Sequence, residues 1–412
     1  DQGAKGIVLQ DVSVGDGDLE FTLAPPGTPE ARWALFALER RGDQAEGFME
    51  QSGRSFPVKL RRLAPGEDPG PRRPQTPQPP FPYEARELTL DRGPVRLACT
   101  LVLPPAGGPT PTPALVLLTG SGAQDRDETI FEHRPFAVLA DDLGRHGVAT
   151  LRCDDRGVGG STGATLDTTQ AELVGDALAM LDHLAQEPAL KGGRRGLLGH
   201  SEGAQIAIEA AAKRPKDVRM LVLLAGMGVP ARPLRAAQLR ALSRAAGATE
   251  AALDELVRRQ QELLDAVLAG RPDAEIDAKI EALVLAERPE AAQDRQGLAA
   301  AVAGQRAMVT SRWFKSLLAA DPGPHLRRIK GAPVHALGGA LDLQVPAGDN
   351  LAAIAAALQK AGNKDVTVAL LPGLNHLLQP AVTGVVAEYA EIEVTLDPQV
   401  LERVRAWVLA RP

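Results

Sequence analysis

Aromatic side chains are nearly missing from this chain: eight Phe, three Trp and two Tyr are 3% of 412 residues. A stacking platform for bases or sugars needs several such rings together, and this composition does not supply them. An excess of positive charge is missing too. The 46 Lys and Arg are outnumbered by 52 Asp and Glu, and the two signs are interspersed, for a formal net charge of −6. A phosphate backbone needs a concentrated basic face, so nucleic acid is set aside as the main partner. No stretch approaches the ~20 apolar residues of a membrane-spanning helix, so no membrane span is expected. Cysteine is limited to Cys99 in LACTLVLP and Cys153 in ATLRCDDRG. Both fall in strand-like apolar runs and read as small buried hydrophobes rather than as a disulfide, which leaves the redox compartment open. Phosphate-loop spacing (G-x-x-x-x-G-K-[ST]) and metal-ligand spacing are absent, so neither cofactor nor metal is expected. The first residue is Asp1, not Met. A cleaved export signal, giving a periplasmic or secreted protein, fits that start without deciding the compartment.

What is present begins with length: at about 150 residues per domain, two or three units are expected. Residues 64–82, APGEDPGPRRPQTPQPPFP, hold eight prolines in nineteen positions. Proline fixes φ and lacks an N–H, so this stretch reads as an extended linker. Before it, in residues 1–63, lie short and often alternating runs such as DLEFTLAPP, ARWALFALER and SFPVKLRRL. They describe a small antiparallel β domain with one wet face, serving structural support or substrate gating, or else binding a partner of its own. After the linker the rhythm changes. A hairpin, ELTLDRGPVRLACTLVLP, precedes six apolar runs at 114–120, 147–154, 196–200, 219–226, 332–339 and 365–372. Helical stretches separate them, at about 130–146, 168–186, 202–213 and 349–362, with a last one at 398–410. Eight strands alternating with helices predict an α/β fold: a mostly parallel sheet with helices on both faces, formed by residues 83–228 and 327–412. Residues 229–326, between strands six and seven of that sheet, carry only amphipathic helical sequence. That insertion reads as a cap over the strand ends, where open α/β sheets place ligands, or as a helical subdomain with no gating role.

Residues 197–210, LLGHSEGAQIAIEA, place Ser201 between Gly199 and Gly203 at a strand-to-helix junction. G-x-S-x-G in that context is a nucleophile elbow, where a Cβ at either glycine collides with a neighbouring strand or helix. A serine hydroxyl needs a base to take its proton, and the base needs an orienting carboxylate. Asp342 follows the strand APVHALGG and His376 follows DVTVALLP, in the order acid then histidine. Asp349 competes as the acid but reads as the N-cap of a helix over 350–361. His133, His146, His183, His200, His325 and His335 read as structural or surface residues. Oxyanion donors are expected from the backbone N–H of Glu202, after the nucleophile, and of Ser121 in Gly120-Ser121-Gly122, with Gly122 as its neighbouring alternative. The glycines of DDRGVGGS, 154–161, lack dinucleotide spacing and follow two carboxylates; they read as a loop pinned by an internal Asp–Arg pair.

LLTGSGAQDRDE, LRCDDRGVGGSTG, LLGHSEGAQIA, GGALDLQVP and LPGLNHLLQP together resemble bacterial α/β-hydrolase-fold serine carboxylesterases, near the prolyl-oligopeptidase-like and acyl-transferring branch. The resemblance spans about residues 84–412. It implies an α/β-hydrolase fold with helical cap and small N-terminal β domain. It also implies Ser201, Asp342 and His376 as the triad, Ser121 and Glu202 as oxyanion donors, and a small-molecule ester as substrate. Aminopeptidase or amidase, acyltransferase and thioesterase activities run on the same triad, and a binding protein on this scaffold would need a damaged one.

Overall fold

The computed structural model describes residues 8–24, 33–51, 54–65, 72–108 and 111–411. It divides into two compact units, Asp1–Arg72 and Arg73–Pro412.

In the first unit, β1 (Leu9–Val14), β2 (Asp18–Leu23), β3 (Ala34–Arg41), β4 (Gln44–Gln51) and β5 (Arg54–Arg61) form one sheet in chain order. All neighbours are antiparallel. The period of two sorts the faces: in β3, Ala34 and Leu38 are buried while Leu35, Ala37 and Glu39 are exposed. Phe21 and Phe36 face each other in register and stack at 4.4 Å. Pro57 can occupy β5 because that strand is at the edge, where a missing N–H breaks no ladder.

Not all of the proline-rich stretch behaves as a free spacer. Residues 66–71 lie outside the described residues, but from Arg73 onward the chain is tied into the second unit. The Arg73 guanidinium donates to the carbonyls of Phe131, Ala390 and Ile392. Gln75 Oε1 accepts from the N–H groups of Thr395 and Leu396. Proline-rich backbone leaves its neighbours' side chains to make such bonds, and here they do.

The second unit is an α/β-hydrolase fold. Its strands are β6 (Glu84–Arg92), β7 (Val95–Leu103), β8 (Ala114–Leu118), β9 (Ala149–Cys153), β10 (Arg195–His200), β11 (Leu221–Leu224), β12 (Val334–Gly339) and β13 (Val366–Leu371). They pair in the order β13-β12-β11-β10-β8-β9-β7-β6; the β6–β7 and β7–β9 pairs are antiparallel and the other five are parallel. The parallel strands are apolar because helices cover both faces. On one face, α2 (Gln170–Gln186), α3 (Glu202–Lys213) and α10 (Ala347–Ala361) bury Val174, Ile208 and Ile354. On the other, α1 (Pro135–Arg145) and α11 (Pro398–Leu409) bury Leu139, Leu143 and Val404. Thr169 and Glu172 close a reciprocal capping box that starts α2.

Between β11 and β12 the chain forms α4 (Ala231–Ala245), α5 (Glu250–Leu268), α6 (Asp273–Glu287), α7 (Arg295–Val309), α8 (Arg312–Leu318) and the short α9 (Pro322–Leu326). Leu263, Ile280, Val302 and Phe314 give this insertion a core of its own. No helix among the described residues is long and apolar enough to cross a membrane.

The expectation for the cysteines is overturned. Antiparallel pairing of β7 with β9 sets Cys99 opposite Cys153, and the two form a disulfide with Cα atoms 3.9 Å apart. Each cysteine alone looks like a core residue; only the pairing of strands distant in sequence makes them partners. The bridge spans a separation of 54 residues, and closing a loop of that length in the unfolded chain is worth about 2–4 kcal/mol. Cys153→Ala is therefore expected to lower the unfolding free energy by about that amount in urea titration. Thiol titration of the unfolded, unreduced protein should find no reactive thiol; two would contradict the bridge.

Candidate active site

Ser201 stands between β10 and α3 with φ 53° and ψ −116°. A non-glycine residue in that region costs about 1–3 kcal/mol, held here by the surrounding packing. Its N–H donates to the Leu224 carbonyl at 2.9 Å. The flanking glycines are dictated by contact. A Cβ on Gly199 would lie 2.1 Å from the Gly203 carbonyl oxygen, and one on Gly203 would lie 2.1 Å from that of Leu118 in β8.

The structure brings Ser201, His376 and Asp342 together. His376 Nε2 lies 3.1 Å from Ser201 Oγ, and His376 Nδ1 lies 2.8 Å from Asp342 Oδ2. The other oxygen of Asp342 accepts from the N–H groups of Gln344 and Val345, at 2.9 and 2.8 Å. A carboxylate so engaged accepts the Nδ1 hydrogen, leaving Nε2 free to accept from the serine. Both side chains are buried, Asp342 completely. The loop carrying His376 is braced by the Asn375 and Gln379 side chains, which are fully buried and bonded to each other at 3.0 Å. Asp349 is not part of the cluster. It is exposed in the first turn of α10, whose N-cap is Pro346, not Asp349.

Ser121 lies in the bend after β8, and Glu202 is the first residue of α3. First-turn N–H groups have no partner inside their helix, and the helix dipole adds positive character there. Gly120 borders Ser201 closely: a Cβ on it would be 3.4 Å from Ser201 Cβ.

Asp155 and Glu128 are the acids near the serine that sequence reading missed. Glu202 contributes more than its backbone, since its Oε1 accepts from Trp313 Nε1 of α8 at 2.9 Å and from Gln170 Nε2. Burial pushes its pKa up to about 7. Asp155 accepts from Thr119 Oγ1 and from the Gln124 N–H, and burial pushes it up to about 8. Both carboxyls line a pocket with Gly120, Gly122, Ile206 and Trp313. The expected internal Asp–Arg pair of the 154–161 loop is also corrected. Asp154 takes a two-pronged bond from Arg126, in the loop after β8, while Arg156 pairs with Asp176 of α2. The signal that was available is the run Asp125-Arg126-Asp127-Glu128 shortly after the glycines, but nothing local says which of its charges turns inward. Among the described residues, no group of three or more His, Cys, Asp or Glu could hold a metal ion.

Residues 132–379, well over half of the chain, match the family Hydrolase_4, serine aminopeptidase, S33. The chain belongs to that family. This S33 chain is also 31% identical over 152 residues to esterase EstD of Thermotoga maritima, a match covering 37% of this chain and 34% of that esterase. Among solved structures it is similar to proline iminopeptidase from Mycobacterium smegmatis (18% identity, 79% of this chain, 98% of that one, TM-score 0.49). It is also similar to Est1E from Butyrivibrio proteoclasticus with ferulic acid bound (16%, 79% and 98%, TM-score 0.45).

The raised pKa of Glu202 has a thermodynamic consequence. Its ordinary value is 4.5, so between pH 4.5 and about 7 the folded chain holds a proton that the unfolded chain has released. Stability therefore falls as pH rises through that window. Glu202→Gln keeps the acceptor oxygen and removes the charge. It is expected to raise the unfolding free energy by about 1–3 kcal/mol at pH 8, with little change at pH 5, in denaturant titrations. An equal effect at both pH values, or a loss at pH 8, would contradict the assignment.

Proposed function

We propose that this S33 chain is a serine carboxylesterase acting on small esters of short to medium acyl chain through an acyl-serine intermediate. The observation that carries this reading is the hydrogen-bonded line from Asp342 through His376 to Ser201. In the first half-reaction Ser201 Oγ attacks the ester carbonyl as His376 Nε2 takes the hydroxyl proton. Asp342 holds the imidazole with its hydrogen on Nδ1 and stabilises the imidazolium. Negative charge on the former carbonyl oxygen is met by the N–H groups of Ser121 and Glu202. The Gly120 N–H is already engaged by Glu128, which supports Ser121 as the donor from that loop. His376 then protonates the leaving alcohol. A water, deprotonated by the same ring, releases the acid and restores Ser201.

Similarity to part of EstD, itself an esterase, supports an ester as the scissile bond. The five motifs arriving in order support a place near the prolyl-oligopeptidase-like branch. Residues 229–326 serve as the cap in this reading. Its α8 reaches the elbow through Trp313 and reaches α2 through Ser316 Oγ, which accepts from the Gln170 N–H at 2.9 Å. Such a lid excludes water from the acyl-enzyme. The β domain of residues 1–63 acts in support or gating, with 64–82 as the connection.

One observation favours a second reading, an aminopeptidase. Asp155, partly buried, and Glu202, buried, put two carboxyls in the pocket beside the oxyanion loop, where the ammonium of a free N-terminus would be paired. A bound cation would draw both pKa values back down.

Ser201→Ala should abolish hydrolysis of p-nitrophenyl acetate and labelling by a fluorophosphonate, and Asp342→Asn should lower kcat by about 10³–10⁴. Retained turnover in Ser201→Ala would end the proposal. Relative rates on a series of p-nitrophenyl esters and on aminoacyl-p-nitroanilides separate the two readings. Faster cleavage of the anilides, lost in Glu202→Gln, would select the aminopeptidase.

A further inference from the structure

Glu128 and His200 are both almost fully buried, 3% and 6% exposed, and neither belongs to the serine, histidine and aspartate line. Their bonds end on the backbone of the surrounding active-site loops. Glu128 Oε1 accepts from the Gly120 N–H at 2.5 Å and from His200 Nδ1 at 2.8 Å. His200 Nε2 in turn donates to the backbone carbonyl of His376 at 3.0 Å. His200 itself immediately precedes Ser201. One carboxylate oxygen and one imidazole thus join the oxyanion loop, the nucleophile elbow and the loop of the base.

We propose that Glu128 and His200 are a positioning pair that holds these three loops in register, so that the hydroxyl, the imidazole and the oxyanion donors share one geometry. The proposal rests on the reading of Ser201 and His376 as catalytic.

Three further observations support it. The Gly120 backbone lies against the pair and the nucleophile together. A Cβ there would stand 2.9 Å from Glu128 Oε1, 3.3 Å from His200 Nδ1 and 3.4 Å from Ser201 Cβ. Glu128 is held at φ 56°, a conformation unfavourable for a side chain of its kind. The turn that imposes it is braced by Asp125 Oδ1, which accepts from the N–H groups of Asp127 and Thr129 at 3.0 and 2.9 Å. Finally, a carbonyl only accepts, so His200 Nε2 carries a hydrogen, and Nδ1 faces a carboxylate oxygen that already accepts from Gly120. Donation from both nitrogens is the hydrogen-bonding pattern of the imidazolium form. Burial opposes that charge, and the Glu128 carboxylate outweighs it, raising the His200 pKa. A buried ion pair contributes little net stability compared with apolar groups of the same shape. The value of this one lies in where its bonds end.

The test uses the full chain with p-nitrophenyl acetate, reading kcat and KM separately, the rate of fluorophosphonate labelling, and the thermal midpoint. Labelling of the wild-type protein at Ser201 establishes the catalytic reading on its own; without it, that reading fails and the variants need not be compared. With it, Glu128→Ala is expected to lose between about ten- and a hundredfold in kcat and in labelling rate, with KM within about twofold. Glu128→Gln retains an Oε1 acceptor for both donors and should recover most of that loss. Because both residues act in one chain of bonds, Glu128→Ala/His200→Ala should lose no more than the worse single variant. If Glu128→Ala does not fold, His200→Ala is judged by the same limits, since it alone releases the His376 carbonyl. Wild-type kcat in the alanine variants, losses that multiply in the double variant, or a Gln variant no better than Ala would each overturn the pair.

Discussion

The active site depends on a lack of room. At residues 199 and 203 the backbones of β8, β10 and α3 approach so closely that a single added carbon would sit 2.1 Å from a carbonyl oxygen. That approach drives the chain into its sharp turn and holds Ser201 in a backbone conformation a side-chain-bearing residue seldom adopts. It also sets the Gly120 loop against the serine. Glycine is the only residue without the offending atom, so the identity of two residues determines where a third can aim its hydroxyl.

Around that turn, the fold supplies groups from distant parts of the chain at the ends of adjacent strands. β12 ends just before Asp342 and β13 ends just before the loop of His376, and the two strands pair in parallel register. Parallel strands end on the same side of a sheet, so side chains separated by 34 and 175 residues meet within hydrogen-bonding distance. The surroundings are unusually acidic for an interior: Glu128, Glu202 and Asp342 are buried within it, and Asp155 is partly buried beside them. They are held in different ways. Asp342 accepts two backbone N–H groups and an imidazole, whereas Glu202 has only neutral donors and its charge is penalised by burial.

Much of this was legible in the sequence because it is local. Ser201 is flagged by five consecutive residues between an apolar run and a helical one, and Asp342 and His376 by their place after strands. The eight strands of the sheet read directly from apolar runs bounded by Gly, Pro and Asp. What escaped depends on long-range register. Cys99 and Cys153 become a disulfide only because β7 pairs with β9 in the sheet, and no local pattern encodes that pairing. Arg126 and Asp154 likewise find each other across two loops, and Trp313 reaches Glu202 from more than a hundred residues away. Asp349 was misread as a helix cap because its helix starts earlier, after Pro346. Arg73 and Gln75 lie in a proline-rich stretch that looks like a spacer, yet their side chains fasten it to the second unit.

The central claim is that the acyl group passes through Ser201. It is tested most directly by acid-quenching the enzyme during turnover of p-nitrophenyl acetate and mapping the digested protein by mass spectrometry. The account predicts one acetyl group on the peptide containing Ser201, appearing within a turnover and lost on standing at neutral pH. Steady turnover with Ser201 unmodified at every time, or acetyl accumulating on another residue at the rate of the reaction, would contradict it.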